Sequence, residues 1–196
     1  MSSRVGLTNQ LIIETAANIA DTEGLDNVTL TAVAQRLGVQ KPSLYNHIKG
    51  LNDLRRSLTL FGTTQLRVRI MEAATGQAKE DAILAISVAY RTFAHERPGL
   101  YQATLLSWDH QDNPQVQAAI KELMEVLKKV LGAYRLQNND LVHAQRGLRS
   151  LMHGFVTLEA SGWFTQPVAR DESYMQLVNI FIRGIEVRAV QDLNRE

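Results

Sequence analysis

The stretch Thr29 to Leu54, TLTAVAQRLGVQKPSLYNHIKGLNDL, constrains this chain more than any other. Two short amphipathic segments are broken at Leu37-Gly38-Val39, the layout of a helix-turn-helix. Gly38 supplies the left-handed residue that ends one helix and turns the chain sharply. Ala34, Leu37, Val39 and Leu44 are the expected small core that sets the angle between the helices. The second helix, expected over Lys41 to Ile48, presents Lys41, Ser43, Tyr45, Asn46 and His47 in one run. Their donors and acceptors suit phosphates and base edges. In such a unit the second helix lies in the major groove while the first crosses the backbone. Double-stranded DNA is therefore the expected macromolecular partner.

The same region resembles the TetR family of transcriptional regulators. The resemblance rests on Ile12-Ile13-Glu14-Thr15-Ala16-Ala17, Glu23-Gly24, Val28-Thr29-Leu30, Val33 to Val39, and Lys41 to Lys49. It implies an N-terminal helix, a helix-turn-helix, and a fourth helix leading into a ligand-binding domain. Two positions depart from the family pattern. Gln40 stands where a capping Ser is usual, a poorer start for the recognition helix, and Ile48 stands where an aromatic is common.

Composition narrows the class. In 196 residues, 45% apolar and 21% charged side chains describe an ordinary globular chain large enough to bury a core. No run of some 18 apolar residues is present, so no membrane span is expected, and the N-terminus lacks a hydrophobic signal region. The absence of cysteine rules out disulfides and thiolate metal sites and fits a cytoplasmic protein. Net charge is +1; residues up to Arg69 carry 8 Lys/Arg against 5 Asp/Glu, and the remainder 13 against 15. That asymmetry permits a local phosphate-binding face without suggesting one by itself.

Helical signals dominate throughout. The expected helices begin at Thr8 (ended by Gly24), at Thr29 or Thr31, and at Lys41 with Pro42 in its first turn, then run Leu51 to Ala73 and Lys79 to His95. Pro98 opens another, Asn113-Pro114 starts one running to Leu136, Asn138 or Asn139 one running to Ala160, and Asp171 caps the last, to Val190. The fold class is thus all-α: a three-helix DNA-binding domain over 1–50, then a helical-bundle ligand-binding and dimerisation domain over 51–196.

The last two helices are broadly apolar. One carries Ala144, Gly147, Leu151, Gly154, Leu158 and Ser161 as a small-and-apolar stripe; the other carries Val178, Ile182, Ile185 and Ala189. Core packing within one bundle explains any one of these residues. The pair of stripes fits an isologous homodimer through a four-helix contact, with Gly147, Leu151, Gly154, Leu158, Val178, Ile182, Ile185 and Ala189 at the seam. The family resemblance favours the dimer. Leu151 to Glu159 with Gly162 and Phe164 is similar to the HGF-motif (WHG-type) C-terminal subgroup, as is Glu96 to Tyr101.

Weighed individually, Lys41 is a candidate for a phosphate or guanine edge, and Asn46 for adenine. Ser43, Tyr45, His47, Lys49 and Thr31 are candidate phosphate contacts, and Pro42 shapes the helix start. A solvated polar face is the plainer reading of each. The ligand pocket is implied by the resemblance alone. Tyr90, Phe93, Tyr101, Trp108 and Phe155 are its candidate lining, with His153 and Glu159 as polar anchors, suiting a hydrophobic or amphipathic effector; simple core is again the plainer reading. No metal, cofactor or catalytic role is expected. His143 and His153 lie nearly three helical turns apart, His110 sits among loop residues, and no catalytic or phosphate-loop motif is present. The expected function is a ligand-responsive DNA-binding regulator, a repressor acting as a dimer on a near-palindrome. The alternative is a helical small-molecule-binding or scaffold protein without useful DNA affinity; an enzyme would lack any constellation to carry its chemistry.

Overall fold

Helix α1, Asn9–Glu23, starts where Thr8 accepts a hydrogen bond from the Leu11 amide at 3.2 Å and ends at Gly24, whose φ of 94° few other residues tolerate. The computed structural model describes residues 6–106, 113–136 and 139–193, with side chains described as far as Val190. Among them every regular element is helical. A 3₁₀ turn, Leu25–Asn27, leads to α2 (Leu30–Leu37), and α3 (Lys41–Leu44) follows. Then come α4 (Leu51–Ala74), α5 (Lys79–Glu96), α6 (Pro98–Ala103), α7 (Pro114–Gly132), α8 (Asp140–Ala160) and α9 (Arg170–Leu193).

Several boundaries differ from the sequence expectation. The expected helix over Lys41 to Ile48 is regular only to Leu44; beyond it the Tyr45 amide bonds back three residues to Pro42 and the His47 amide to Leu44. Tyr, Asn and His are weak helix formers, and Gln40 makes no side-chain cap, so the segment tightens into turns. Helix α7 stops at Gly132 instead of Leu136, and Arg135 takes a φ of 56°. Asp171 lies inside the first turn of α9, which begins at Arg170.

The chain forms two compact units that do not follow chain order: residues 1–65 with 94–120, and residues 66–93 with 121–196. In the first, Ile12, Ala16 and Ile19 of α1 are buried as their spacing predicts, with Val28, Val33, Leu44, Ile48, Leu54, Leu58 and Leu100. Helix α1 is joined closely to α6. The Asp21 carboxylate accepts from the Leu100 amide at 2.9 Å and from the Arg97 guanidinium, so α1 caps a helix whose own N-cap residue makes no side-chain cap. A β-carbon on Gly99 would lie 2.0 Å from the Ala20 carbonyl, so only glycine allows this approach. In the second unit Leu66, Ile70, Ile83, Ile86, Phe93, Leu127, Leu148, Met152 and Tyr174 form the core.

Candidate nucleic-acid interface

Local chain chemistry builds the helix-turn-helix. Thr29 caps α2, its hydroxyl accepting from the Ala32 amide at 3.0 Å, which settles the choice between Thr29 and Thr31. Gly38 is left-handed (φ 66°, ψ 30°), and its amide returns to the carbonyls of Ala34 and Gln35. Pro42 occupies the first turn of α3, where its missing N–H leaves no bond unmade. The interhelical core holds Val33 and Leu44 at 0% exposure and Ala34 at 3%, while Leu37 and Val39 are only half-buried. Val33, absent from the expected set, takes the central place. Ile48 is buried too, so an aliphatic side chain fills the position where the family often has an aromatic.

Leu44 and Ile48 anchor the segment from inside, and the polar residues between and around them face outward. Lys41, Pro42, Tyr45, Asn46 and Lys49 are exposed; Ser43 and His47 are half-buried. Tyr45 is 52% exposed, a large ring left half in water. Thr31, in the first turn of α2, is exposed as well. The Lys49 amide is held by the Asp53 carboxylate at 2.9 Å, which fixes the entry into α4. A short ridge of two lysines, hydroxyls, an amide and an imidazole, fixed by two buried aliphatics, has the form of a groove-reading element.

Residues 12–55 match the model of bacterial regulatory proteins of the tetR family, and residues 83–181 match the tetracyclin repressor-like C-terminal domain. The chain is 37% identical over 185 residues to the uncharacterized HTH-type transcriptional regulator YobS of Bacillus subtilis, covering 94% of this chain and 96% of that one. This chain belongs to the TetR family. It is 33% identical to the uncharacterized HTH-type regulator Rv0681 of Mycobacterium tuberculosis, across 93% of this chain and 83% of the relative. A Rhodococcus protein of unknown function shares the fold, with a TM-score of 0.79 at 20% identity over 91% of this chain and 95% of that one. As a TetR-family protein it is a DNA-binding transcriptional regulator; repression and response to small ligands are typical of that family, and its members act as dimers. Among the described residues no helix is long and apolar enough to cross a membrane.

The residues expected to line a TetR-family ligand pocket fare unevenly. Trp108 lies outside the described residues. Tyr101 belongs to the first compact unit, and Tyr90, Phe93, His153, Phe155 and Glu159 to the second. Tyr90, Phe93, Tyr101 and Phe155 are at most 7% exposed and pack as core. Glu159 is no free anchor: both its oxygens accept from Arg91, at 2.9 and 2.7 Å, and Arg91 also reaches Asp171 at 2.8 Å. The guanidinium lies 5.6 Å above the Phe155 ring and 5.2 Å from that of Tyr174, and Phe155 packs on Phe164 and Tyr174 at 4.8 Å. The hydrogen bonds to Glu159 and then Asp171, against the opposing effect of burial, raise the Arg91 pKa above its ordinary value. Sequence reasoning missed Arg91 and Tyr174, and gave Asp171 only as a helix cap. A lone Arg beside the apolar face of one helix and a lone Glu beside that of another was the available signal, since buried charges require partners. His153 is half-buried, with its pKa lowered by desolvation and by the nearby Arg149.

The expected dimer seam divides. On α8, Gly147 and Leu158 are exposed and Leu151 and Gly154 half-buried. On α9, Val178, Ile182 and Ile185 are 0%, 2% and 7% exposed within the protomer, and Ala189 is half-buried. Those three therefore belong to the protomer's own core, which takes the most apolar stripe of a helix first. The apolar residues that α9 leaves outside are Ile180, Val187 and Val190.

Proposed function

We propose that this TetR-family protein is a homodimeric repressor that reads a near-palindromic operator with Lys41, Ser43, Tyr45, Asn46, His47 and Lys49, assisted by Thr31 and Pro42. The exposed ridge between the buried anchors Leu44 and Ile48 is the observation that carries this reading. Residues 1–50 carry the DNA contacts; residues 51–196 carry dimerisation and effector binding. Two ridges about 34 Å apart meet successive major-groove faces on one side of a duplex. The dimer forms through Gly147, Leu151, Gly154 and Leu158 of α8 with the outer apolar residues of α9. A small effector, hydrophobic or amphipathic, favours a dimer whose ridges no longer match that spacing, and repression lifts through the difference in its affinity for the two states. The protein acts in the cytoplasm, where its DNA is.

The test is a titration against the DNA immediately upstream of its own gene, at two salt concentrations, beside a scrambled duplex. Tight, selective and salt-sensitive binding with two chains per site is expected. Lys41→Ala weakens it and reduces the salt slope by about one. Equal weak binding to both duplexes, persisting through a genome-fragment selection, would sink the regulator reading in favour of a ligand-binding or scaffold protein.

A further inference from the structure

The second compact unit contains a hollow of about 340 Å³ between the end of α4, the start of α5 and the last turns of α7. Met71, Ala74, Ala82, Val126 and Val130 give it apolar walls. Among the described residues its charged lining is two lysines, Lys79 and Lys129, with no carboxylate. Both lysines are exposed, and neither has an ion-pair partner among the described residues. An open, mainly apolar hollow of this size with two lysines in its lining has the chemistry of a small-ligand site.

A second hollow adjoins it, sharing Lys79 and Ala133 and lined also by Tyr134, Arg135 and Glu186. Lys79 and Arg135 have φ of 47° and 56°, and they are the two non-glycine residues with positive φ among those described. Backbone strain of this kind gathers at binding sites more than at ordinary loops. Tyr134 is 7% exposed, and its hydroxyl has no hydrogen-bond partner among the described residues. Burial, with the charges of Glu186, Glu80 and Asp81, pushes its pKa up to about 12, so it remains a neutral donor. Glu186 makes the second hollow the poorer place for an anion, which leaves the negative end of a ligand to the two lysines of the first.

We propose that the hollow between α4, α5 and α7 binds an amphipathic anion, with its apolar chain along Met71, Ala82, Val126 and Val130 and its acidic head between Lys79 and Lys129. None of the residues expected from the sequence to line an effector pocket takes part. Binding is independent of the operator reading, because it is measured without DNA.

Decanoate is the probe, titrated calorimetrically into the full chain, with decylamine and decanol as the cationic and neutral chains of the same length. One decanoate per chain is expected, with decanol weaker and decylamine weakest. Replacing both lysines, K79A with K129A, lowers decanoate affinity about tenfold, the size of two partly screened charge contacts. Arginine at both positions restores it. The variant A78W fills the hollow from an exposed lining position and abolishes binding while both lysines remain. Thermal melts of each variant report folding separately. Non-saturable uptake of decanoate, equal affinity for decylamine, or unchanged affinity in the lysine-free or A78W variant would each overturn the assignment.

Discussion

Replacing Gly99 by alanine is expected to destabilise the first compact unit far more than one methyl group suggests. The new β-carbon would sit 2.0 Å from the carbonyl carbon and oxygen of Ala20 and 2.6 Å from the Asp21 nitrogen, all backbone atoms of α1. Ordinary contact begins at 3.4 Å, and no side-chain rotation supplies the difference. The helices must separate, and that motion pulls the Asp21 carboxylate away from the Leu100 amide it holds at 2.9 Å. Overpacking plus loss of a charge-assisted hydrogen bond costs about 3 to 5 kcal/mol. In a chain of this length that lowers the melting temperature by roughly 10 °C. Urea unfolding at fixed protein concentration measures it, since the apparent stability of any protein that self-associates depends on concentration. Gly132→Ala is the internal control: a β-carbon there meets nothing within 4 Å at the end of α7, so the same substitution is expected to be neutral or to stabilise by up to about 1 kcal/mol. A loss below about 1 kcal/mol in Gly99→Ala would refute the argument that this approach is backbone against backbone.

Gln40→Ser gives α3 the cap it lacks, at a residue already in extended conformation (φ −77°, ψ 140°), and is expected to add about 0.5–1 kcal/mol and tighten operator binding; slower amide exchange at Ser43 is the check. Glu159→Gln leaves the Arg91 guanidinium, only 14% exposed, with Asp171 as its remaining carboxylate, and is expected to cost about 2–3 kcal/mol in thermal unfolding. His153 has a folded pKa below its ordinary 6.5, so the unfolded chain binds the proton more readily. Its contribution is present above pH 6.5 and is lost as pH falls through the lower folded value. His153→Gln is expected to flatten that acid limb of a stability-against-pH curve; an unchanged limb would assign it to other groups.

The sequence carried the local rules of this fold well. Thr8, Thr29, Gly24, Gly38 and Pro42 act where their capping and turn chemistry placed them, because each argument spans four residues or fewer. The shortness of α3 was partly visible in Gln40 and in the weak helix formers after Leu44. Partners far apart in sequence were not visible. Asp21 meets Arg97 and Leu100 across more than 70 residues, and Arg91 meets Glu159 across 68. Periodicity says that a helix has an apolar face without saying which neighbour covers it. Hence Val178, Ile182 and Ile185 were read as a seam and prove to be core. The polar ridge of the helix-turn-helix was legible as an outward face because buried anchors and polar residues alternate within one short segment.

The bond from Asp21 to the Leu100 amide also sets an order of assembly. Helix α6 has six residues, too few to persist alone, and its first turn is completed by a residue 79 positions earlier. On a ribosome adding about 5–20 residues per second, α1 waits several seconds for that partner, with the Ala20 backbone uncovered until Gly99 arrives. The N-terminal helix-turn-helix is thus the first part to be made, yet its support is complete only when about half the chain has been synthesised. A nascent chain stalled before Pro98 would display a helix-turn-helix whose supporting helix has yet to find its mate.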